Sequence, residues 1–191
     1  MVKIVYLVDL DPGYFALNAC EESQWKGMFE RFRPDVRVID KWARTRFYAD
    51  DPLAKKQGDF CGFGFSGFFG IREPVFMSKL GLAMGEWGEF LEAELEDPRE
   101  KFWIYNLLTC YNCLDTENTV FRKAPRSDVV LGIEKYSFKF ERIGSSLFKI
   151  PEFPCSHIFA ASGLCNDDDF VEIYRSCNFT GLRFEEVWRD V

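Results

Sequence analysis

At 191 residues, with 47% apolar and 17% aromatic side chains, the chain can bury a core of its own, which excludes wholesale disorder. Its net charge of −7 offers no basic stripe to displace counterions from phosphates, so nucleic acid is excluded and a basic partner is the natural complement. Seven cysteines, an odd number scattered through apolar segments, read as reduced thiols, and no apolar run reaches membrane-spanning length, so a cytoplasmic protein is expected.

Residues 2–8 are β-rich and predict a strand, broken at Asp9 and followed by a turn at Asp11, Pro12 and Gly13. A helix is expected over 20–32, where Trp25, Met28, Phe29 and Phe32 recur at the spacing of one helical face, with Pro34 ending it. Residues 36–39 resemble a short strand. The stretch 50–72 interleaves five glycines with Phe60, Phe63, Phe65, Phe68 and Phe69 and reads as a loop inserting aromatics into a core, or as a hinge. It divides the expected organisation into a variable portion 1–72 and a domain 73–191.

Residues 74–78 predict a strand leading into a helix that runs to Glu96, with Trp87, Phe90, Leu91 and Leu95 buried and Glu86, Glu89, Glu92 and Glu96 on a polar face. Between residues 86 and 100 seven acidic side chains face Arg99 alone, nearly the whole net charge of the chain. Strands are then expected at 102–108, 129–133, 136–140 and 147–150. A final unit comprises a strand at 157–161, a helix opened by Asp167, Asp168 and Asp169 with Phe170, Ile173, Tyr174 and Cys177 inward, a left-handed turn at Gly181 and a strand at 182–188. The fold class is therefore α+β: a mostly antiparallel sheet, about three packed helices and a carboxy-terminal strand-helix-strand unit.

Motifs with chemical meaning are few. Gly62, Gly64 and Gly67 match the spacing of a dinucleotide-binding turn, but no strand precedes them and no helix follows. Cys110 and Cys113 form a C-x-x-C that could be a redox pair, half of a zinc site completed by Cys155 and His157, or two core thiols; the last is the plainest. His157 is the only histidine, and with Cys155 two residues away it offers the alternative of a small cytosolic enzyme using a Cys–His pair. The carboxylates at Asp50 and Asp51, at Asp115 and Glu117, and at 167–169 read as turns and caps. No catalytic residue and no cofactor follow from these patterns.

From Pro74 onward the order of features resembles the immunity-protein family encoded beside bacterial polymorphic toxins, first catalogued as a domain of unknown function shared with a myxobacterial protein. The pieces that carry the resemblance are Pro74, Val75, Phe76, Met77 and Ser78; Trp103, Ile104, Tyr105, Asn106, Leu107 and Leu108 followed by Cys113, Leu114 and Asp115; Leu147, Phe148, Lys149 and Ile150; His157, Ile158 and Phe159; and the close from Phe179 through Gly181, Leu182, Phe184 and Val187 to Trp188. The resemblance implies a cytoplasmic protein, not an enzyme, that binds a cognate toxin domain and blocks it by occlusion. It carries over no binding residues; the acidic face of Glu86, Glu89, Glu92 and Glu96 is the surface expected to steer toward a basic toxin.

Overall fold

The computed structural model describes residues 2–20, 36–50, 55–63, 67–95, 100–164 and 169–190. The helix expected over 20–32 falls almost wholly outside the described residues, as do Glu96, Asp51, Gly64, Phe65, Asp167 and Asp168. Twelve strands and three helices are present among the described residues, in the order β1 (Ile4–Leu10), β2 (Leu17–Ala19), β3 (Thr45–Ala49), β4 (Phe60–Cys61), β5 (Phe69–Arg72), α1 (Glu73–Phe76), α2 (Lys79–Trp87), β6 (Gly88–Leu95), β7 (Lys101–Leu107), β8 (Val120–Lys123), β9 (Val130–Lys135), β10 (Leu147–Phe148), β11 (Ile158–Ser162), α3 (Phe170–Ser176) and β12 (Leu182–Arg189). The protein is α+β with mostly antiparallel strands, and its last elements form the expected strand, helix and strand.

Two sheets carry the fold. One is four-stranded, ordered β10-β11-β1-β12 and antiparallel throughout; the other is six-stranded, ordered β2-β3-β6-β7-β5-β4, with β3 and β6 its one parallel pair among the described residues. Strands from both sides of residue 72 share both sheets: β1 lies between β11 and β12, and β5 pairs with β7.

Period-two alternation explains how each sheet can be apolar on both faces. In β11, Ile158 and Ala160 face one core and Phe159 and Ala161 another; in β7, Tyr105 and Leu107 face the first core while Phe102 and Ile104 face a third. The central core lies between the sheets and takes Leu80, Ala83, Met84 and Trp87 of α2 and Phe170, Val171, Ile173 and Tyr174 of α3. The outer core of the six-stranded sheet gathers Phe47, Phe63, Phe68 and Phe102. Phe138, Phe140, Phe148 and Phe159 gather on the outer face of the other. The aromatics of 50–72 that are described therefore do enter cores, two of them on strands.

Phe60 joins the sheets. Its ring is fully buried against Phe69, Phe170, Tyr174 and Phe179 at centroid distances of 5.6–6.3 Å. Burial of such a ring contributes about 2–3 kcal/mol. Beside it Asp59 and Thr180 bond reciprocally: the Thr180 amide and hydroxyl both donate to Asp59 Oδ2 at 2.9 and 2.7 Å, the Asp59 amide donates to Thr180 Oγ1 at 3.2 Å, and the Phe60 amide donates to the Thr180 carbonyl at 3.0 Å.

Four expected elements differ. Residues 74–78 form helical turns because Pro74 suits a first helical turn and Ser78 takes over both helix ends: its Oγ donates to the Val75 carbonyl at 2.6 Å and accepts from the Leu80 and Gly81 amides at 3.1 and 3.3 Å. The helix that follows stops at Trp87, nine residues before the expected end at Glu96. At Gly88 the backbone becomes extended and lies so close to β7 that an added Cβ would meet the Asn106 carbonyl at 2.4 Å. Residues 39–41 make a 3-10 turn instead of a strand, since the Val38 and Ile39 amides are claimed by a side chain. The stretch 136–140 keeps only one bridge, between Leu114 and Phe138, before a second 3-10 turn at Phe140–Arg142.

Gly181 has φ +103°, and a Cβ there would lie 2.1 Å from the Phe60 carbonyl oxygen. Gly181→Ala is therefore expected to lower the unfolding free energy by about 2–4 kcal/mol. Gly85→Ala on α2, where the added carbon meets nothing nearer than 3.7 Å, is expected to raise it by about 0.5–1 kcal/mol. Urea unfolding midpoints of the two variants measure both.

Candidate functional site

The acidic segment is a strand, and its glutamates part company. In β6 the odd positions Glu89, Leu91, Ala93 and Leu95 point into the outer core and the even positions Glu92 and Glu94 point out of it. Glu89 is 4% exposed. Its Oε1 accepts from the Val38 amide and from Asn106 Nδ2, both at 2.8 Å, and its Oε2 accepts from the Ile39 amide at 3.4 Å. Asn106 stands directly opposite on β7, so the pair forms a buried polar clamp holding the chain ahead of β3 onto the sheet.

Outside, Arg44 bonds to both Glu92 and Glu94, which holds the Glu92 carboxyl below the usual carboxylate range, chiefly through that hydrogen bond. Glu100 pairs with Arg72 at 3.0 Å. The single helical face expected for Glu86, Glu89, Glu92 and Glu96 is therefore not formed among the described residues: Glu89 is buried and structural, Glu92 is exposed but paired with Arg44 on β6, Glu96 lies outside the described residues, and Glu86 is exposed without an ion pair among the described residues near the end of α2.

The zinc set is dispersed as well. Among the described residues no group of three or more His, Cys, Asp and Glu side chains converges as a metal site. Cys113 is fully buried beside Leu114, Phe138 and Phe148, and burial pushes its thiol up to about 12, the opposite of a reactive C-x-x-C thiolate. Cys155 is exposed and sits in a run of turns before β11 begins, so it shares no strand face with His157. His157 Nδ1 lies 2.8 Å from Ser156 Oγ, its ring packs edge-on against Phe153 at 4.9 Å, and burial lowers its pKa. Residues 64–66 of the glycine motif lie outside the described residues.

Lys149 escaped sequence reasoning. It follows β10, its amide donates to the Thr109 carbonyl and its carbonyl accepts from the Tyr111 amide, both at 2.9 Å, and the stretch bridges to Cys110. The side chain is 0% exposed, and among the described residues Nζ has no hydrogen-bond partner. Burial lowers the ammonium pKa to about 8, against a smaller opposing influence of Cys155 and Cys110. The only signal was a lysine between Phe148 and Ile150, where strand alternation alone cannot say whether the tip reaches water.

Two open clefts flank β1. One of about 340 Å³ is lined by Asp9, Asp11, Tyr14, Phe15, Lys55 and Phe60. The carboxylates there are already engaged: Asp9 pairs with Arg183 at 3.0 Å and Asp11 Oδ1 accepts from the Gly13 amide at 2.8 Å. The other, about 520 Å³, lies between β9 and β12 and is lined by Tyr136, His157 and Val187 with charges of both signs, Arg122 and Lys135 against Glu134, Glu185 and Glu186. Beside it the β8-β9 hairpin exposes Val120, Val129, Val130 and Leu131, and on α1-α2 Met77 is 73% and Leu82 77% exposed. Among the described residues no helix is long and apolar enough to cross a membrane. Neither the protein-family models nor the curated proteins compared with the chain give a match.

Two outcomes check this electrostatic picture. Lys149 binds fewer protons folded than unfolded between pH 8 and its ordinary 10.5, so unfolding free energy rises with pH through that window, by about 3 kcal/mol in all. Lys149→Met removes the rise and is more stable than the parent at pH 7, as denaturant titrations across pH 7–10.5 would record. Glu89→Ala removes the acceptor of the buried Val38 amide and one of the two acceptors of Asn106 Nδ2, and is expected to cost about 2–3 kcal/mol, whereas Glu92→Ala, at an exposed ion pair, leaves the same midpoint within error.

Proposed function

We propose that this protein is an immunity protein that binds and neutralises a cognate bacterial toxin domain encoded by a neighbouring gene, by non-covalent occlusion in the cytoplasm. The reading rests on the resemblance from Pro74 onward and is supported by where those residues stand in the fold. Trp103–Leu107 form most of β7, Leu147 and Phe148 form β10, Ile158 and Phe159 open β11, Leu182–Trp188 build β12, and Ser78 caps α2. They are the scaffold itself, as a signature shared among binders of divergent toxins would be.

The observation that carries a binding role is the solvent face of α2. Leu82, among the most exposed apolar side chains of the protein, lies one helical turn before Glu86, with Met77 exposed just ahead of the helix. Glu86 has no ion pair among the described residues. An apolar anchor beside an unpaired carboxylate suits a basic toxin face, and the net charge of −7 steers the approach. Charge reversal at Glu89 would report on folding instead of binding, which makes Glu86 the position to test.

The toxin domain encoded by the adjacent reading frame is expected to be retained by the tagged protein. Glu86→Lys is expected to slow association at least threefold and to weaken its salt dependence, and Leu82→Ser to speed dissociation, both read by surface plasmon resonance at two ionic strengths. No retention of that domain sinks the functional proposal. Unchanged kinetics in both variants sink the assignment of the α2 face.

A further inference from the structure

The β8-β9 hairpin opposes the rest of the molecule in charge. Residues 120–135 carry Arg122, Lys123, Arg126 and Lys135 against Asp128 and Glu134, in a chain whose total is −7. Lys123 is taken up by Asp128 at 3.1 Å, while Arg122, Arg126 and Lys135 have no ion pair among the described residues. Phe121 and Ile133 anchor the hairpin to the core outside the four-stranded sheet, but Val129 is 60% and Leu131 53% exposed. The two strands pair only with each other, so β8 and β9 each present an outer edge of backbone donors and acceptors outside any sheet ladder. Alongside β9 runs the 520 Å³ cleft, whose lining includes Tyr136 and Val187 but also Glu134, Glu185 and Glu186, so the cationic surface is the hairpin edge at Arg122, Arg126 and Lys135 and not the cleft floor.

We propose that this hairpin is a strand-accepting edge for an extended segment of a partner protein in which apolar side chains alternate with carboxylates. Backbone pairing along β9 supplies affinity, Val129 and Leu131 receive the apolar side chains, and Arg122 and Lys135 select the acidic ones. A second copy of this chain is disfavoured as occupant, because symmetric pairing of two such hairpins would set Arg122, Arg126 and Lys135 of one against like charges of the other. The inference does not depend on the toxin proposal: it concerns a different surface and a partner segment of opposite charge.

The probe is a fluorescein-labelled peptide of alternating aspartate and valine, eight residues long, with a lysine–valine peptide as control, titrated with the full chain. The aspartate peptide is expected to give a saturable anisotropy change that weakens at least fivefold between 50 and 300 mM salt. The control gives none. Arg122→Glu with Lys135→Glu, and separately Val129→Ser with Leu131→Ser, are each expected to weaken binding at least tenfold. All four positions are exposed, and a far-ultraviolet spectrum of each variant verifies the fold. Hydrogen exchange should slow at amides 130–135 on binding. The proposal is overturned if neither peptide binds, if both bind alike, or if the variants bind as the parent does. A concentration-dependent dimer that the same variants abolish would assign the edge to a second copy and overturn it too.

Discussion

The reciprocal bonding of Asp59 and Thr180, with Phe60 inserted beside it, is the constraint on which the architecture turns. These residues lie 121 positions apart, yet they place the edge strand β4 of one sheet against the turn that launches β12 of the other. Once that junction closes, α2 and α3 have a slot between two apolar faces, and burial of Phe69, Tyr105, Phe170 and Tyr174 follows from the geometry. The loop entropy of closing so long a span is large, so the fold needs several bonds and a fully buried ring at one point instead of a single contact. Gly181 belongs to the same junction, because the Phe60 carbonyl occupies the space where a side chain would begin.

Electrostatics follow the same long-range logic. A segment that looks like a concentrated negative patch is dispersed by cations far away in sequence: Arg44 for Glu92 and Glu94, and Arg72 for Glu100. Glu89 turns inward and becomes a backbone clamp. Among the described residues without an ion pair, Glu86 stands on α2 and Arg122, Arg126 and Lys135 on the β8-β9 hairpin. Lys149 is a different case: a cation kept wholly out of water lowers stability at neutral pH, and its removal is a route to a more stable scaffold.

Much of the scaffold was legible because its signals are local. The period-two run of β1, the apolar stretches of β7 and β11, the aspartate-capped α3 and the positive φ at Gly181 each depend on neighbours within a few residues, and each stands where expected. The site was far less legible. Glu86, Glu89, Glu92 and Glu96 fit a helical spacing, and the same stretch also alternates as a strand; β3 and β7, supplied from elsewhere, decided between them. Cys155 and His157 are close in sequence, but a run of turns separates their environments.

The sequence by itself determined the α+β class, the mostly antiparallel pairing, the capped carboxy-terminal helix and the abundance of aromatic core, because composition, alternation and capping act over a few residues. Only the tertiary structure decided that residues 88–95 are a strand, that Glu89 is buried, that Lys149 is cut off from water and that the hairpin stands exposed with opposite charge. Each of those depends on which distant strand or side chain fills the neighbouring space, and no local pattern carries that information.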